Sequence, residues 1–194
     1  MKIAVWQTAG GGAPAATLKK AAAIARRLGI ALLFGFPERD GETIYNSAFF
    51  VDRDGHSAIY RKLHLFGPEE KRLFAPGDAR PPILTLDGLR LAPMICYDVE
   101  FPEMVRAAAD AGADLIAVPT ALMRPMDFVA ECLVPTRAYE NGCFVAYANR
   151  VGREGALHYV GKSSITAPDG SELARADGEE DALLLADIDL ASYA

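Results

Sequence analysis

The stretch Ala92-Pro93-Met94-Ile95-Cys96-Tyr97-Asp98-Val99-Glu100-Phe101-Pro102-Glu103 passes from an apolar run, through a cysteine, into the start of a helix. Before it, Ile83 to Leu86 and Arg90 to Ile95 flank the turn Asp87-Gly88 and read as a hairpin. After it, Phe101, Met104, Val105 and Ala108 recur at helical spacing, and Gly112 closes the helix. A strand that ends this abruptly puts the sulfur of Cys96 on a sharp turn near the positive end of a helix, and both features favour thiolate. The plainer alternative is a small buried hydrophobe, the usual fate of a free cysteine.

Outward from this turn, strand-like and helix-like segments alternate. Lys2 to Trp6 reads as a strand and Ala15 to Leu28 as a helix opened by Pro14 and closed by Gly29. Ile30 to Phe36 is strand-like, and Ser47 to Val51 and Ala58 to Arg61 flank the turn Asp52-Arg53-Asp54-Gly55. Leu63 to Pro82 reads as irregular. Leu115 to Val118 is a buried-type strand, a helical stretch carrying Pro135 follows, and Cys143 to Ala148 is again a strand. Ser163 to Thr166 and Ala182 to Ile188 complete the pattern. With no repeat or linker, residues 1–194 read as a single α/β domain of layered, mixed sheets.

Composition excludes several classes. Twenty Lys and Arg against 26 Asp and Glu give a net charge of −6, and no basic run offers a nucleic-acid surface. Apolar stretches such as Ile30 to Phe34 are strand-length, which predicts no membrane span. The first residues lead straight into a strand without a signal-peptide core. Three cysteines without a CxxC indicate neither a disulfide framework nor a zinc site, so a reducing, cytoplasmic setting is expected.

A second segment, Tyr60-Arg61-Lys62-Leu63-His64-Leu65-Phe66-Gly67-Pro68-Glu69-Glu70, places Lys62 where a strand gives way to a loop. An ammonium there can stabilise an oxyanion or tune a thiol; otherwise it is a solvated surface cation, as most lysines are. His64, flanked by Leu63, Leu65 and Phe66, reads as a hydrogen-bonded packing residue rather than a base.

Together these two segments resemble the nitrilase superfamily of carbon–nitrogen hydrolases, particularly its amidase branches. The resemblance continues through Ala111-Gly112-Ala113-Asp114-Leu115, Val118-Pro119-Thr120-Ala121, Arg137-Ala138-Tyr139-Glu140-Asn141-Gly142, Ala148-Asn149-Arg150-Val151-Gly152 and Pro168-Asp169-Gly170. It implies an αββα sandwich of two mixed sheets flanked by helices, pairing into a homo-dimer or higher homo-oligomer. It also implies hydrolysis of a small carboxamide through a cysteine thioester. Carried over by position, Cys96 matches the nucleophile and Lys62 the oxyanion stabiliser. The N–H of Tyr97 is the natural second donor, and Glu70 matches a glutamate that helps hold lysine and substrate, with Glu69 as its neighbour. No metal or organic cofactor is implied, since thiol, amine and carboxylate suffice for acyl transfer.

One departure bears on activity. The family's general base is a glutamate ending the second strand, usually in Phe-Pro-Glu, and this chain contains Phe36-Pro37-Glu38. Its surroundings, however, resemble the family's next strand and hairpin, so a strand, its glutamate and about a helix of sequence read as missing near the N-terminus. Either the hairpin keeps its family position and the base is absent, which is the expected arrangement, or the strand slides beside the first and Glu38 approaches Cys96. Loss of an element also predicts exposed apolar surface and weakened stability. Two other readings are open: an inactive, dimer-forming scaffold using the stretches Met104 to Ala109 and Phe128 to Tyr139, and a dinucleotide-binding protein suggested by Gly10-x-Gly12-x-x-Ala15.

Overall fold

The computed structural model describes residues 1–8 and 17–193. Its central element is a six-stranded mixed sheet in the order β12(Glu172–Arg175), β11(Ser164–Thr166), β8(Phe144–Ala148), β7(Leu115–Pro119), β6(Leu89–Pro93), β5(Leu84–Leu86). The β6–β7 and β7–β8 pairs are parallel, joined by the helices α3(Pro102–Asp110) and α4(Val134–Asn141), while the flanking strands run antiparallel.

Sequence alternation explains why this sheet is buried on both faces. Ile116, Val118, Val145 and Tyr147 point into one core with Val105, Ala108, Val134 and Ala138 of α3 and α4. Leu115, Ala117, Phe144 and Ala146 point the other way, toward Val5 and Phe50 of a second strand layer. Period-2 alternation within uniformly apolar strands thus feeds two cores.

The second layer consists of two antiparallel pieces. One is the meander β2(Leu32–Asp40), β3(Thr43–Val51), β4(Ser57–Arg61); the other pairs β1(Lys2–Gln7) with β13(Ala182–Asp187). Helix α1(Thr17–Leu28) covers the outside of the meander, packing Ala21 and Ala25 on Phe49 and Val51. The order of layers is therefore helix, sheet, sheet, helix. Among the described residues no ladder joins β1 to β2. The outer side of the β1–β13 ribbon leaves Trp6, Leu183 and Leu185 at 66%, 64% and 58% exposure.

Both expected hairpins form, and Gly112 (φ +92°) ends α3 in the left-handed conformation. The layered sandwich expected from the resemblance is the one observed, and each piece of its second layer is antiparallel. Leu63 to Pro82 is not wholly irregular, since it holds the helix α2(Gly67–Leu73). The loop with Gly10, Gly12 and Ala15, on which the dinucleotide reading rests, lies outside the described residues.

Candidate active site

The parallel strands β6, β7 and β8 end on the same side of the sheet, where open α/β sheets place their ligands. β6 leads into Cys96, β7 into Thr120 to Leu122, and β8 into Asn149. The Asn149 side chain ties two of these exits together: its Oδ1 accepts from the Leu122 N–H at 2.9 Å and its Nδ2 donates to the Gly161 carbonyl.

Cys96 opens a short 3₁₀ turn (Cys96–Glu100) with φ of +47°, a conformation that L-residues other than glycine adopt rarely. Asp98, fully buried two residues on, holds this elbow. It accepts from the Tyr60 hydroxyl at 2.8 Å, the His64 N–H at 2.9 Å and the Ile95 N–H at 3.2 Å. His64 Nδ1 lies 3.0 Å from the same carboxylate, and its ring stacks on Phe101, so it is spent on packing. From the other side Arg137 donates to the carbonyls of Val99 at 3.0 Å and Glu100 at 2.7 Å.

Lys62 follows β4 directly, its N–H donating to the Asn46 carbonyl at 2.8 Å. Alternation along β4 sends Tyr60 and Lys62 inward, at 2% exposure each, and Ile59 outward at 43%. The Lys62 ammonium meets both oxygens of Glu70, at 2.9 and 2.8 Å. Glu70 is itself fixed by Asn46 Nδ2 and the Phe66 N–H, each at 2.5 Å. Its neighbour Glu69 is a surface residue paired with Arg72. The structure thus brings Lys62 and Glu70 together, and it adds Asn46 to the cluster.

A small hollow of about 10 Å³, room for little more than a water, lies beside Cys96, lined by Phe66, Glu100, Ala121, Leu122, Met123 and Met126. Burial pushes the Cys96 thiol above its ordinary value, and the Lys62 charge and the Ala121 N–H offset only part of this. At this elbow the Lys62 charge, which favours thiolate, is thus opposed by desolvation. Burial likewise raises the Glu100 carboxyl, again opposed by Lys62 and by Arg137. The buried Tyr147 phenol behind the thiol is also held up, by burial first and then by Cys96.

Glu38 lies on the opposite face of its sheet from Lys62. β2 and β3 pair in continuous register from Leu32↔Val51 to Asp40↔Thr43, so the strand has not slid toward β1. Phe34 and Phe36 face α1, and alternation puts Glu38 on that same outer side. There it takes bonds from Arg61 at 2.6 and 3.0 Å and from Ser47 at 2.6 Å, which hold its carboxyl below the usual value. It lines a separate, open cavity of about 410 Å³ with Arg61, Asp78 and Arg80. The conditional placement of Glu38 beside Cys96 is therefore corrected by a single fact of strand parity.

One tight group of potential metal ligands occurs among the described residues, Asp52, Asp54 and His56 on the β3–β4 turn. Asp52 there already accepts from the N–H groups of Asp54 and His56.

A profile of the carbon–nitrogen hydrolase family matches residues 3–194. The chain belongs to this family. It is 49% identical over 174 residues to a protein of Pseudomonas protegens described as a hydrolase in the pqqF 5' region, covering 88% of this chain and 60% of that one. It is 40% identical over 167 residues to a nitrilase of Pyrococcus abyssi, covering 86% and 62%. The chain thus spans about three-fifths of the length of these curated relatives. Among solved family structures, the amidase from Nesterenkonia sp. AN1 matches with a TM-score of 0.84 and 44% identity, covering 88% of this chain and 68% of that one. That structure is of a glutamate-to-glutamine mutant in which acrylamide has added to the active-site cysteine. Another structure of the same amidase, a cysteine-to-alanine mutant in complex with butyramide, matches with a TM-score of 0.83.

Asn46, Asp98, Arg137 and Glu100 carried no assigned role in the sequence; Asp98, Arg137 and Glu100 stood there only within quoted stretches. The signal for Glu100 was its position four residues after Cys96, at the far end of the same turn.

Proposed function

We propose that this chain performs acyl transfer on small carboxamides, with Cys96 as the nucleophile. The Cys96 sulfur attacks the amide carbon, and the C–N bond breaks as ammonia leaves with the thiol proton. Water then cleaves the thioester to the carboxylic acid. In this reading Lys62 and the N–H of Tyr97 stabilise the oxyanion, and Glu70 with Asn46 positions the ammonium. The observation that carries it is the fixed, buried Lys62–Glu70 pair whose charge acts on a thiol set at a strained elbow. The lining beside Cys96 is apolar apart from Glu100, which suits a short acyl group without a carboxylate, and the acrylamide and butyramide of the solved amidase structures are of that kind.

We further read the activity as impaired. Glu70 is engaged by Lys62, Asn46 and Phe66, and Glu38 faces away, so neither is available to take the proton of a thiol whose pKa burial has raised. A missing positioned base costs on the order of 10²–10⁴ in rate. Among the described residues no ladder joins β1 to β2, which is consistent with a strand absent between them, where the resemblance places the family's base. The chain acts without metal or organic cofactor in this account, as a cytoplasmic homo-oligomer and in a single domain. Ammonia release from butyramide, compared between the natural chain and Cys96→Ala, tests the proposal: slow release abolished by the substitution supports it. Equal release from both proteins contradicts it.

A further inference from the structure

Glu100 ends the turn that Cys96 begins, and the two line the same small pocket. The other lining residues, Phe66, Ala121, Leu122, Met123 and Met126, are apolar. Among the described residues the Glu100 carboxyl takes part in no hydrogen bond or ion pair; only its backbone carbonyl is engaged, by Arg137. The nearby cations are committed elsewhere. The Lys62 ammonium meets both Glu70 oxygens, and the Arg137 N–H groups go to Val99, the Glu100 carbonyl and Glu140. A half-buried carboxyl without a partner costs stability. Its charge is surplus, and it faces the place where an acyl group would sit.

We propose that Glu100 is the specificity-determining residue of this pocket: it turns away amides whose acyl tail bears a carboxylate and favours tails bearing a cation or a hydrogen-bond donor. Like charges in a weakly screened pocket repel strongly enough to change rates about tenfold or more. The substrate classes rest on the amide-hydrolase reading; the charge filter itself does not, because any electrophile reaching the Cys96 sulfur passes the same carboxylate.

Two alkylating agents test this independently of turnover. Iodoacetamide is neutral and iodoacetate is anionic; in each case the sulfur displaces iodide and the thiol proton goes to solvent. Peptide mapping gives the iodoacetamide-to-iodoacetate rate ratio at Cys96, with exposed Cys132 and free 2-mercaptoethanol as references. In the natural chain the ratio at Cys96 is expected to exceed that of 2-mercaptoethanol by about tenfold. Glu100→Gln is expected to remove most of that excess while leaving the ratio at Cys132 unchanged. The natural chain alone carries the first comparison should the variant not fold. A second arm compares kcat/KM for butyramide, 4-aminobutyramide and succinamate, with Glu100→Gln expected to narrow the preference against succinamate. A shifted alkylation ratio without turnover of any amide upholds the charge filter and rejects the hydrolase reading. A ratio at Cys96 equal to that of 2-mercaptoethanol, or unmoved by Glu100→Gln, overturns the proposal.

Discussion

Lys62 and Glu70 form a two-pronged ion pair, 2.8 and 2.9 Å from ammonium to carboxylate, with the lysine side chain only 2% exposed. An arrangement this enclosed is expensive to break from one side. Removing a single partner strands a charge away from water, at roughly 3–5 kcal/mol, whereas replacing both by apolar groups is often neutral. Glu70→Leu is therefore expected to lower unfolding stability by about that much, and Lys62→Met plus Glu70→Leu by distinctly less. Urea denaturation of the singles and the double variant measures the difference; additive losses would show that the pair is solvated in solution.

Asp98 predicts a second coupling between fold and site. Its carboxylate gathers the Tyr60 hydroxyl and two N–H groups under the Cys96 elbow. Asp98→Ala leaves these buried donors without an acceptor, a loss of about 3 kcal/mol or more. It is also expected to relax the turn, so that alkylation of Cys96 by iodoacetamide approaches that of a free thiol. Unchanged stability together with unchanged labelling would place the elbow's support elsewhere.

Glu38 gives a pH-dependent prediction with a definite sign. Its carboxyl is held below its ordinary value, chiefly by the bond from Arg61, so the folded state favours the ionised form. The stability this adds is fully present above the unfolded carboxyl's pKa and is lost as pH falls through the lowered folded one. Glu38→Gln is expected to cost about 2 kcal/mol at neutral pH, a difference from the natural chain that shrinks in strong acid. Labelling of Cys96 should not change. An altered labelling rate in this variant would return Glu38 to the chemistry.

The thiol itself supplies a further test. Burial raises Cys96 and Lys62 lowers it, so its alkylation rate should climb with pH beyond the range of an ordinary thiol. Lys62→Met is expected to push that midpoint higher still. Cys143, buried and pushed up to about 12, should remain the slowest site to label in the folded protein. A Cys96 midpoint below that of a free thiol would mean that positive charge outweighs desolvation here.

The bare side of the β1–β13 ribbon predicts association. Trp6, Leu183 and Leu185 form an apolar outer face of the kind monomers seldom leave open. Sedimentation velocity should show concentration-dependent self-association that weakens when Trp6→Ser and Leu183→Glu are combined. A monomer at all concentrations, before and after the change, would contradict it.

The elbow and the parallel core were legible because their signals are local. An apolar run, a cysteine, a Pro-led helix and a closing glycine read in order along the chain. Helix α2 was harder: Gly67-Pro68, acidic residues in the first turn and basic ones in the last are genuine helix signals, yet the helix buries no residue and so has no apolar stripe. Strand parity decided Glu38, and it is fixed by pairing with Thr43–Val51 rather than by the Phe-Pro-Glu triplet. The Cys96 thiol feels burial together with Lys62, the Ala121 N–H, Glu70 and Glu100, groups spread over about sixty residues, which no single segment reveals.

The most direct measurement is the intact mass of the protein after exposure to a small neutral amide such as butyramide, followed by peptide mapping. The account predicts one acyl group held as a thioester on Cys96, persisting because hydrolysis is slow, and lost in Cys96→Ala and Lys62→Met. An unmodified protein that releases no ammonia, or an adduct on another residue, would contradict it.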